Sequence, residues 1–384
     1  MPDKTYLITP GPTPVPPEVQ AAMERPLIHH RSPDFKVLFA SLLEGLGRAF
    51  ATSSEVLVLP GSGTSAMESA VSNIVSPGDP VVVASAGNFG ERWAKIARAF
   101  GADVRLVEQP WGERLEAGPI AAAAPAAKAV YVTHSETSTG VVHDVQAIAE
   151  ALRPTGVALV VDAVSSLGGV ELQTDAWGID VVVAGSQKAL MTPPGVGLAA
   201  VSPRAMELAR SASSPRFSLD WQTVSAAQAK GATAFTPPVT VIAGLDEALR
   251  LLDREGYETA FARNRELARA AREGVKALGL ELFSPDDDSS SMVTAVRMPE
   301  GIDGQAVYGV LRDRHGVVLA GGQGPLRGKV IRIGHMGYMN RFDMITALAA
   351  LEMALAEFGY RPPTPGAGVA RATELFSEGR AVGV

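Results

Sequence analysis

The sequence predicts an α/β protein with a mostly parallel central sheet, helices on both faces of that sheet, and a smaller C-terminal α+β domain. Between residues 56 and 201, short apolar runs alternate with stretches of helical spacing. Because these runs are almost continuously apolar, they are typical of parallel strands that are covered on both faces. Beyond about residue 255 the pattern changes to a long helix followed by shorter strands and helices.

Four regions follow from this pattern. They are an extended N-terminal arm over residues 1–17, a large domain over 18–255, a small C-terminal domain over 256–361, and a Pro/Gly-rich tail with a weak helix over 362–384. The arm is predicted to be extended because five prolines within residues 9–17 remove backbone donors and fix φ. We expect it to lie over a surface or over a partner subunit.

The elements of the large domain are predicted from spacing. Apolar residues three and four positions apart over residues 35–50 predict an amphipathic helix, and a shorter helix is predicted at 18–23. The strands are expected near residues 56–59, 81–84, 103–107, 129–133, 158–162, 181–183 and 197–201. The helices between them are expected to end near residue 75 and to lie near residues 90–100, 119–127 and 144–152.

The C-terminal elements are predicted in the same way. Helices are expected near residues 258–278, 303–314 and 341–357, strands near 292–298, 317–320 and 329–333, and a weak helix near 368–377.

Composition excludes several classes of protein. The net charge of -7 provides no basic surface for nucleic acid. The absence of cysteine excludes disulfides, cysteine-ligated zinc and thiol catalysis, and no metal site is predicted. No apolar stretch reaches about 18 residues, and the N-terminus lacks a signal-peptide pattern. We therefore expect a soluble cytoplasmic protein with no nucleic-acid or membrane partner.

A Gly/Ser/Thr turn stands between the first strand and the helix behind it. Ser62, Gly63 and Thr64 place free backbone N–H groups and the positive end of a helix at one point, which favours an anion such as phosphate. Turns of this composition also serve as plain helix caps. The turn alone therefore allows either interpretation.

Two charged residues end strands that are predicted to be buried. Lys188 follows the strand at 181–183. A desolvated amine has a lowered pKa, and in its neutral form it attacks carbonyls. Alternatively, the Lys188 side chain extends to water. Asp162 ends the strand at 158–162, where a carboxylate needs a partner or caps the next turn. Together with the anion turn, the pair supplies what pyridoxal phosphate (PLP) requires: an amine for its aldehyde, an acid for its ring nitrogen and a phosphate site.

Over most of its length the sequence resembles the class V PLP-dependent aminotransferases, most closely the alanine–glyoxylate and serine–glyoxylate aminotransferases. The resemblance extends from Gly11 to Gly334, and its most specific motifs are VDAVSSLGG at 161–169 and GSQKAL at 185–190. It implies PLP fold type I, with residues 18–255 as the PLP-binding domain. It also implies ping-pong transfer of an amino group through a Schiff base.

The resemblance implies a role for each matching position. Lys188 matches the lysine that binds the cofactor covalently and moves the proton once substrate has displaced it. Asp162 matches the partner of the ring nitrogen. The turn of Ser62, Gly63 and Thr64 matches the phosphate site, to which Gln187 is expected to add a contact.

Three further cofactor contacts are implied. Phe89 stands where the family has an aromatic residue, often tryptophan, stacked on the cofactor ring, and Thr137 matches the residue that hydrogen-bonds the ring oxygen. Thr236 matches a phosphate contact from the neighbouring subunit, which implies a homodimer with shared active sites. The family tyrosine three residues earlier is Thr233 here, so that second contact is absent from the pattern.

Substrate recognition is implied at two places. Arg332 matches the arginine that binds the substrate carboxylate, and the other interpretation of this position is a surface ion pair. Gly11 in the arm and the pair His30 and Arg31 are candidates for substrate contacts. The pair resembles a phosphate-binding segment of phosphoserine aminotransferases, but it is also compatible with a loop that stabilises the dimer.

The preferred interpretation is an aminotransferase that moves the amino group of alanine or serine to glyoxylate or pyruvate. A phosphoserine aminotransferase is the alternative. More remote alternatives are a PLP-dependent lyase and a non-catalytic subunit of a larger assembly. A non-catalytic subunit would be expected to have lost Lys188, Asp162 or Arg332, and all three are present.

Overall fold

The computed structural model describes residues 4–378, so the ends of the predicted arm and tail, residues 1–3 and 379–384, lie outside the described residues. The strands are β1 Tyr6–Leu7, β2 Glu55–Gly61, β3 Pro80–Ser85, β4 Asp103–Glu108, β5 Ala129–Thr133, β6 Ser135–Glu136, β7 Val141–Val142, β8 Ala158–Asp162, β9 Val181–Gly185, β10 Gly195–Val201, β11 Val293–Arg297, β12 Val317–Val318, β13 Ala320–Gly321 and β14 Val330–Gly334. The helices are α1 Pro17–Met23, α2 Pro33–Ala49, α3 Gly63–Ile74, α4 Asn88–Ala99, α5 Ala117–Ala123, α6 Val145–Leu152, α7 Thr174–Trp177, α8 Pro203–Ser211, α9 Trp221–Gln228, α10 Val239–Glu255, α11 Tyr257–Ala277, α12 Gly304–Arg314, α13 Arg341–Glu357 and α14 Ala367–Glu378.

Seven strands form the first sheet in the order β2-β10-β9-β8-β5-β3-β4. The strands from β9 to β4 in this order are parallel, and β10 runs antiparallel to both of its neighbours. This confirms the prediction of a mostly parallel central sheet. Because β10 alone is reversed, β2 again runs in the direction of β9, and the carboxyl ends of β2, β9, β8, β5 and β3 share one edge.

Strand β9 shows why both faces of this sheet are covered. Side chains of a strand alternate between the two faces. Val182 and Ala184 belong to an apolar cluster that includes residues of α2, α6 and α10. Val181 and Val183 belong to a second cluster that includes residues of α3, α4 and α9. The predicted cover of helices on both faces is therefore present.

A smaller antiparallel sheet, in the order β11-β14-β13, lies in the C-terminal part of the chain. It shares an apolar cluster with residues of α11, α12 and α13. The N-terminal arm joins this unit, because Tyr6 and Leu7 pair in parallel with β12 and Ile8 is buried in the same cluster. The predicted domain boundaries at residues 17, 255 and 361 stay predictions.

Helices α8, α9 and α10 have no counterpart among the predicted elements. Two of them carry recognisable start signals, since the Ser202 hydroxyl caps α8 and the Asp220 carboxylate caps α9. Both helices are short, with nine and eight residues, so each contains few apolar positions from which a helix could be predicted. Within the described part of the chain, no helix is both long and apolar enough to cross a membrane.

Candidate active site

An open cleft of about 620 Å³ lies at the shared carboxyl edge of the first sheet. Ligands of open α/β sheets bind at this edge. The cleft is lined by residues from the ends of five strands and from the helices that follow them: Gly63, Thr64, Met67, Phe89, Arg92, Ser135, Asp162, Val164, Ser165, Gln187 and Lys188. Six of the residues predicted from the sequence are among them, namely Gly63, Thr64, Phe89, Asp162, Gln187 and Lys188.

Lys188 is held with its amine inside the fold. Its Nζ donates a hydrogen bond to the carbonyl of Pro10 at 2.7 Å. The pKa of this amine is lowered to about 8, chiefly by burial and in addition by the positive charges of Arg332 and Arg92, while the Asp162 carboxylate opposes the shift. An amine with this pKa is substantially neutral near pH 8 and is therefore nucleophilic.

The N-terminal arm fixes the turn that carries Lys188. The Thr13 backbone N–H donates to the carbonyl of Gln187 at 3.1 Å, and the Thr13 hydroxyl donates to the carbonyl of Lys188 at 2.8 Å. Gly11 has a φ of +129°, and a Cβ at this position would overlap the Lys188 side chain. The predicted candidate Gly11 therefore lies directly against the lysine, and only glycine fits there.

Asp162 is 3% exposed at the end of β8. One carboxylate oxygen accepts a hydrogen bond from the Val164 backbone N–H at 2.8 Å, so the residue does cap the following turn. Among residues 4–378, no lysine, arginine or histidine lies in ion-pair contact with it. Burial raises the pKa of this carboxyl to about 7, and neighbouring Glu136 contributes to the rise. A cationic ligand group would lower the pKa of Asp162 again.

The turn of Ser62, Gly63 and Thr64 caps a helix and also lies at the cleft where an anion could bind. The Ser62 side chain caps α3 by accepting from the Thr64 N–H at 3.3 Å. A Cβ on Gly63 would overlap the side chain of Val164, so the turn approaches the segment after Asp162 closely. Nearby, the Gln187 Oε1 atom is buried and has no hydrogen-bond partner among the described residues. A buried polar atom in this state calls for a ligand or water.

Arg92 was not identified from the sequence. It lies on α4, one turn after Phe89, and its guanidinium is 4.6 Å from the centre of the Phe89 ring. Its Nη1 donates to the Thr64 hydroxyl at 3.0 Å. The signal available in the sequence was its position three residues after the predicted stacking residue, on the same side of a helix.

Glu136 is a second residue that sequence reasoning did not assign. Its carboxylate is fully buried and accepts hydrogen bonds from the backbone N–H groups of Phe89 at 3.0 Å, Gly90 at 3.1 Å and Ser138 at 3.2 Å. The Ser138 hydroxyl donates to it as well. Burial raises the pKa of Glu136, whereas these bonds oppose the rise. The residue anchors the start of α4 and thereby positions Phe89.

Arg332 lies on β14 and is 6% exposed. Its Nε donates to the carbonyl of Gly321 at 3.0 Å and its Nη1 to the carbonyl of Thr137 at 2.8 Å. Burial lowers the pKa of Arg332 to about 10, so it remains charged near neutral pH. Its Nη2 makes no hydrogen bond to the described residues, and no carboxylate among them lies within 4.0 Å. The alternative of a surface ion pair is therefore not what the structure shows.

Three predicted residues lie away from the cleft of this chain. Arg31 is exposed and His30 is half-buried on the loop before α2, and neither lines the cleft. Thr236 is exposed and borders a different cavity, together with residues of β2. Ser62 adjoins the lining residue Thr64. Thr137 and Arg332 contact each other, and the charge of Arg332 acts on the lining residue Lys188.

The residues present fit PLP on observations of this chain alone. The cleft joins an amine of lowered pKa, a buried carboxylate without a cation, and the N-terminus of a helix with its backbone N–H groups. These are the partners that the aldehyde, the ring nitrogen and the phosphate of PLP require.

The fold and the cleft together define a protein of PLP fold type I. The chain belongs to the class-V aminotransferases, whose family model, "Aminotransferase class-V", matches residues 5–345. It is thus a transaminase, and the family and fold are known to depend on PLP.

Named relatives cover nearly the whole chain. The soluble hydrogenase small subunit of Synechococcus is 43% identical over 98% of this chain and 100% of its own length. The L-aspartate–glyoxylate aminotransferase of Paracoccus denitrificans is 36% identical over 98% of both chains. The crystal structure of ureidoglycine–glyoxylate aminotransferase from Bacillus subtilis superposes with a TM-score of 0.93 at 31% identity, covering 98% of this chain and 99% of that one.

The phosphoserine aminotransferase of Cytophaga hutchinsonii is more distant. Its structure superposes with a TM-score of 0.82, but the sequences are 20% identical. At this level the likeness establishes the shared fold alone.

Proposed function

We propose that the protein binds PLP through Lys188 and transfers the amino group of a small amino acid, alanine or serine, to a 2-oxo acid such as glyoxylate or pyruvate. The single observation that carries this proposal is the meeting of Lys188 and Asp162 in one cleft, each with a pKa shifted by burial and neither in an ion pair within the described chain. When bound, PLP supplies an electron sink for the substrate.

The chain's own groups account for the remaining work. The Lys188 Nζ binds the cofactor and, once released, accepts and returns the proton of the substrate Cα as a general base and acid. Asp162, which is held by the Val164 N–H, would pair with the protonated ring nitrogen. Phe89 would provide an aromatic face for the cofactor ring, and Glu136 fixes the backbone of Phe89.

Arg332 positions the substrate in this proposal. Its carbonyl partners orient the guanidinium and leave one N–H of Nη1 and both N–H groups of Nη2 for the α-carboxylate of an amino acid. Two parallel hydrogen bonds to one carboxylate fix the orientation of the substrate, which brings its Cα–H toward Lys188. Water is displaced from the guanidinium when the carboxylate binds, which strengthens the pair.

The choice of amino donor is supported by the relatives. Those with glyoxylate aminotransferase names take different donors, including serine, aspartate and ureidoglycine. Arg332 reads only the α-carboxylate that all amino acids share. We propose alanine or serine as the donor because the second arginine, Arg92, is bonded to Thr64 of the anion turn.

A screen of half-reactions tests this proposal. The holoenzyme would be mixed with alanine, serine, glycine, aspartate, glutamate or phosphoserine in turn, and the conversion of the bound cofactor to its amino form would be followed by absorbance. We expect alanine or serine to react fastest and phosphoserine to react slowly. Fast reaction with phosphoserine or glutamate, with none from alanine or serine, would overturn the donor assignment.

The same screen separates the remote alternatives. A lyase would release ammonia or cleave the carbon skeleton, whereas a transaminase leaves a 2-oxo acid and a cofactor that carries the amino group. A non-catalytic subunit would give no conversion with any donor. Analysis of the products by mass spectrometry distinguishes these three outcomes.

We further propose a cytoplasmic homodimer with shared active sites. Thr236 is exposed and does not border the cleft of its own chain, as expected for a residue that serves the partner's site. The surface also exposes large apolar side chains that a partner would cover, among them Phe217 at 80%, Leu27 at 73% and Val37 at 74%.

Mixing two inactive variants tests the shared site. Lys188→Ala and Thr236→Ala proteins would be unfolded together and refolded, so that mixed dimers form. If Thr236 serves the partner, one site of each mixed dimer carries both lesions and the other carries neither, and PLP-binding capacity recovers. If no capacity beyond that of the separate variants is recovered, Thr236 acts within its own chain.

A further inference from the structure

The guanidinium of Arg92 has no anionic partner within the described chain. It lines the cleft and makes one hydrogen bond, from Nη1 to the Thr64 hydroxyl, and no carboxylate of residues 4–378 lies within 4.0 Å of it. Arginine has five N–H donors, so most of its donors are available to a ligand. A cation that lines a cleft and has no carboxylate partner favours the binding of an anionic ligand.

The position of Arg92 identifies which end of the cleft the anion occupies. Thr64, its partner, is the second residue of α3, directly after the Ser62 cap and Gly63. The guanidinium of Arg332, which is buried, is bonded instead to the carbonyls of Thr137 and Gly321. The two guanidinium groups therefore have separate sets of partners: Arg92 contacts the anion turn, and Arg332 contacts β13 and the residue after β6.

The positive charges near the anion turn match the charge of a phosphate. A phosphate monoester carries close to two negative charges at neutral pH, whereas a helix N-terminus contributes about half of one positive charge. The Gln187 amide adds a dipole and no charge. A full positive charge from Arg92 would supply most of what the turn lacks.

We propose that Arg92 binds the phosphate of PLP, through a charged hydrogen bond added to those of the anion turn. This inference rests on the proposed function, since it concerns the cofactor of the same cleft. The guanidinium lies over Phe89, 4.6 Å from the ring centre, which keeps it at the edge of the site.

The alternative is that Arg92 binds a second acid group on the substrate, as an aspartate or glutamate donor would require. The hydrogen bond to Thr64 argues for the phosphate, because this hydroxyl belongs to the anion turn. The two anions are distinguished by binding measurements made without any substrate.

The experiment compares PLP with pyridoxal, which has the aldehyde and the ring but no phosphate. Dissociation constants of both would be measured on apoprotein by absorbance titration, for wild type and for the Arg92→Ala and Arg92→Lys variants. We expect Arg92→Ala to weaken PLP binding by roughly 10- to 100-fold, the range of a charged hydrogen bond, and to change pyridoxal binding by less than about 2-fold. Arg92→Lys should fall between wild type and Arg92→Ala.

Arg98 provides the matched control. It is exposed on the same helix, and its side chain has no hydrogen bond or ion pair to the described residues, so Arg98→Ala removes the same charge outside the lining of the cleft. Its dissociation constants should equal those of wild type. Circular dichroism of each variant would establish that α4 is intact.

Each other outcome contradicts the inference in a recognisable way. Equal weakening of PLP and pyridoxal would mean that Arg92 acts on Phe89 or Lys188 and not on the phosphate. Unchanged PLP binding with a raised KM for dicarboxylic donors would assign Arg92 to the substrate. If the wild-type protein bound neither PLP nor pyridoxal, the proposed function itself would fail, independently of Arg92.

Discussion

Strands β8 and β9 carry buried charged groups at both of their ends, and the two ends differ in how these groups are partnered. At the amino end, Asp180 accepts hydrogen bonds from the Leu159 N–H at 3.0 Å and the Ser202 hydroxyl at 3.1 Å. Its carboxylate also lies 3.6 Å from the guanidinium of Arg204. The fold itself satisfies this carboxylate.

At the carboxyl end the charged groups are left short of partners. Asp162 accepts one hydrogen bond, from Val164, and the Lys188 amine donates to one carbonyl, that of Pro10, within the described chain. Both groups consequently have pKa values shifted toward their neutral forms by burial. The same sheet thus holds one charged pair for stability and keeps another available for a ligand.

Arg332, which is buried, and Arg216, whose side chain is 10% exposed, differ in the same way. Arg216 pairs with Asp220 and donates to four carbonyls, including those of Ala209 and Ala212. Arg332 donates to two carbonyls and has no carboxylate. A structural charge receives its partners from the chain, and a charge kept for a substrate does not.

The largest expected effect is that of Asp162→Asn on the amino-transfer rate. Asparagine keeps the size and can still accept from the Val164 N–H, but it provides no charge for the ring nitrogen. We expect kcat to fall by about 100- to 1,000-fold, as when a single preorganised electrostatic group is removed. The measurement is the half-reaction rate by stopped-flow absorbance.

Asp180→Asn is the matched control for this rate. The same change at the amino end of the strands should leave the half-reaction rate of folded protein within about 2-fold. Equal rates for Asp162→Asn and wild type would contradict the separation of the two ends.

The next effect concerns Arg332→Lys. Lysine keeps the charge but cannot form two parallel bonds with a carboxylate, so the KM of the amino donor should rise by about 10-fold or more while PLP stays bound. Steady-state kinetics and the absorbance of the bound cofactor check both parts. Arg216→Lys is the control, and it should lower the free energy of unfolding and leave the KM unchanged. Loss of PLP from Arg332→Lys would contradict the assignment of Arg332 to the substrate carboxylate.

A smaller effect is expected on the stability of the apoprotein, where Asp180 should contribute more than Asp162. Asp180→Ala removes a satisfied buried carboxylate and leaves its donors unpaired, which should lower the free energy of unfolding by about 1–3 kcal/mol. Asp162→Ala should cost less, because this carboxylate is poorly solvated and lacks a cation. Urea unfolding of the two apoproteins makes the comparison, and a larger loss for Asp162→Ala would reverse our interpretation of the two ends.

The pH dependence of apoprotein stability tests the same two groups without any substitution. Because the folded pKa of Asp162 is raised to about 7, the folded state binds more protons than the unfolded state between about pH 4 and 7, and this contribution to stability decreases as pH rises through that window. The folded pKa of Lys188 is lowered to about 8, so its contribution increases with pH between about 8 and 10.5. The free energy of unfolding would be measured at several pH values, and the sum of these two contributions should be smallest between pH 7 and 8. In Asp162→Asn, the decrease in the free energy of unfolding between about pH 4 and 7 should be absent.

The carboxyl-edge residues were predictable because strand ends are visible in the sequence. The apolar runs locate β8 and β9, and parallel strands bring Asp162 and Lys188 to one edge. The Ser62 turn was predictable for the same reason. The seven-stranded sheet and its cover of helices follow from local periodicity as well.

Contacts between distant helices and loops were not predictable. Arg92 meets Thr64 only because α3 and α4 pack side by side, and Glu136 reaches the start of α4 across the sheet edge. The pairing of Tyr6 with Val317 joins segments at the two ends of the chain. Such contacts depend on tertiary packing, which single-sequence periodicity does not encode.

The most direct test of the central claim is to locate the lysine that attaches PLP. Wild-type protein would be incubated with PLP, reduced with borohydride and digested, and the modified peptide would be identified by mass spectrometry, with Lys95→Ala as a control for an exposed lysine. We predict one cofactor per chain on Lys188, the same in Lys95→Ala, and none in Lys188→Ala. Stoichiometric attachment to another lysine, or attachment that persists in Lys188→Ala, would contradict the claim that the carboxyl edge of β9 holds the cofactor.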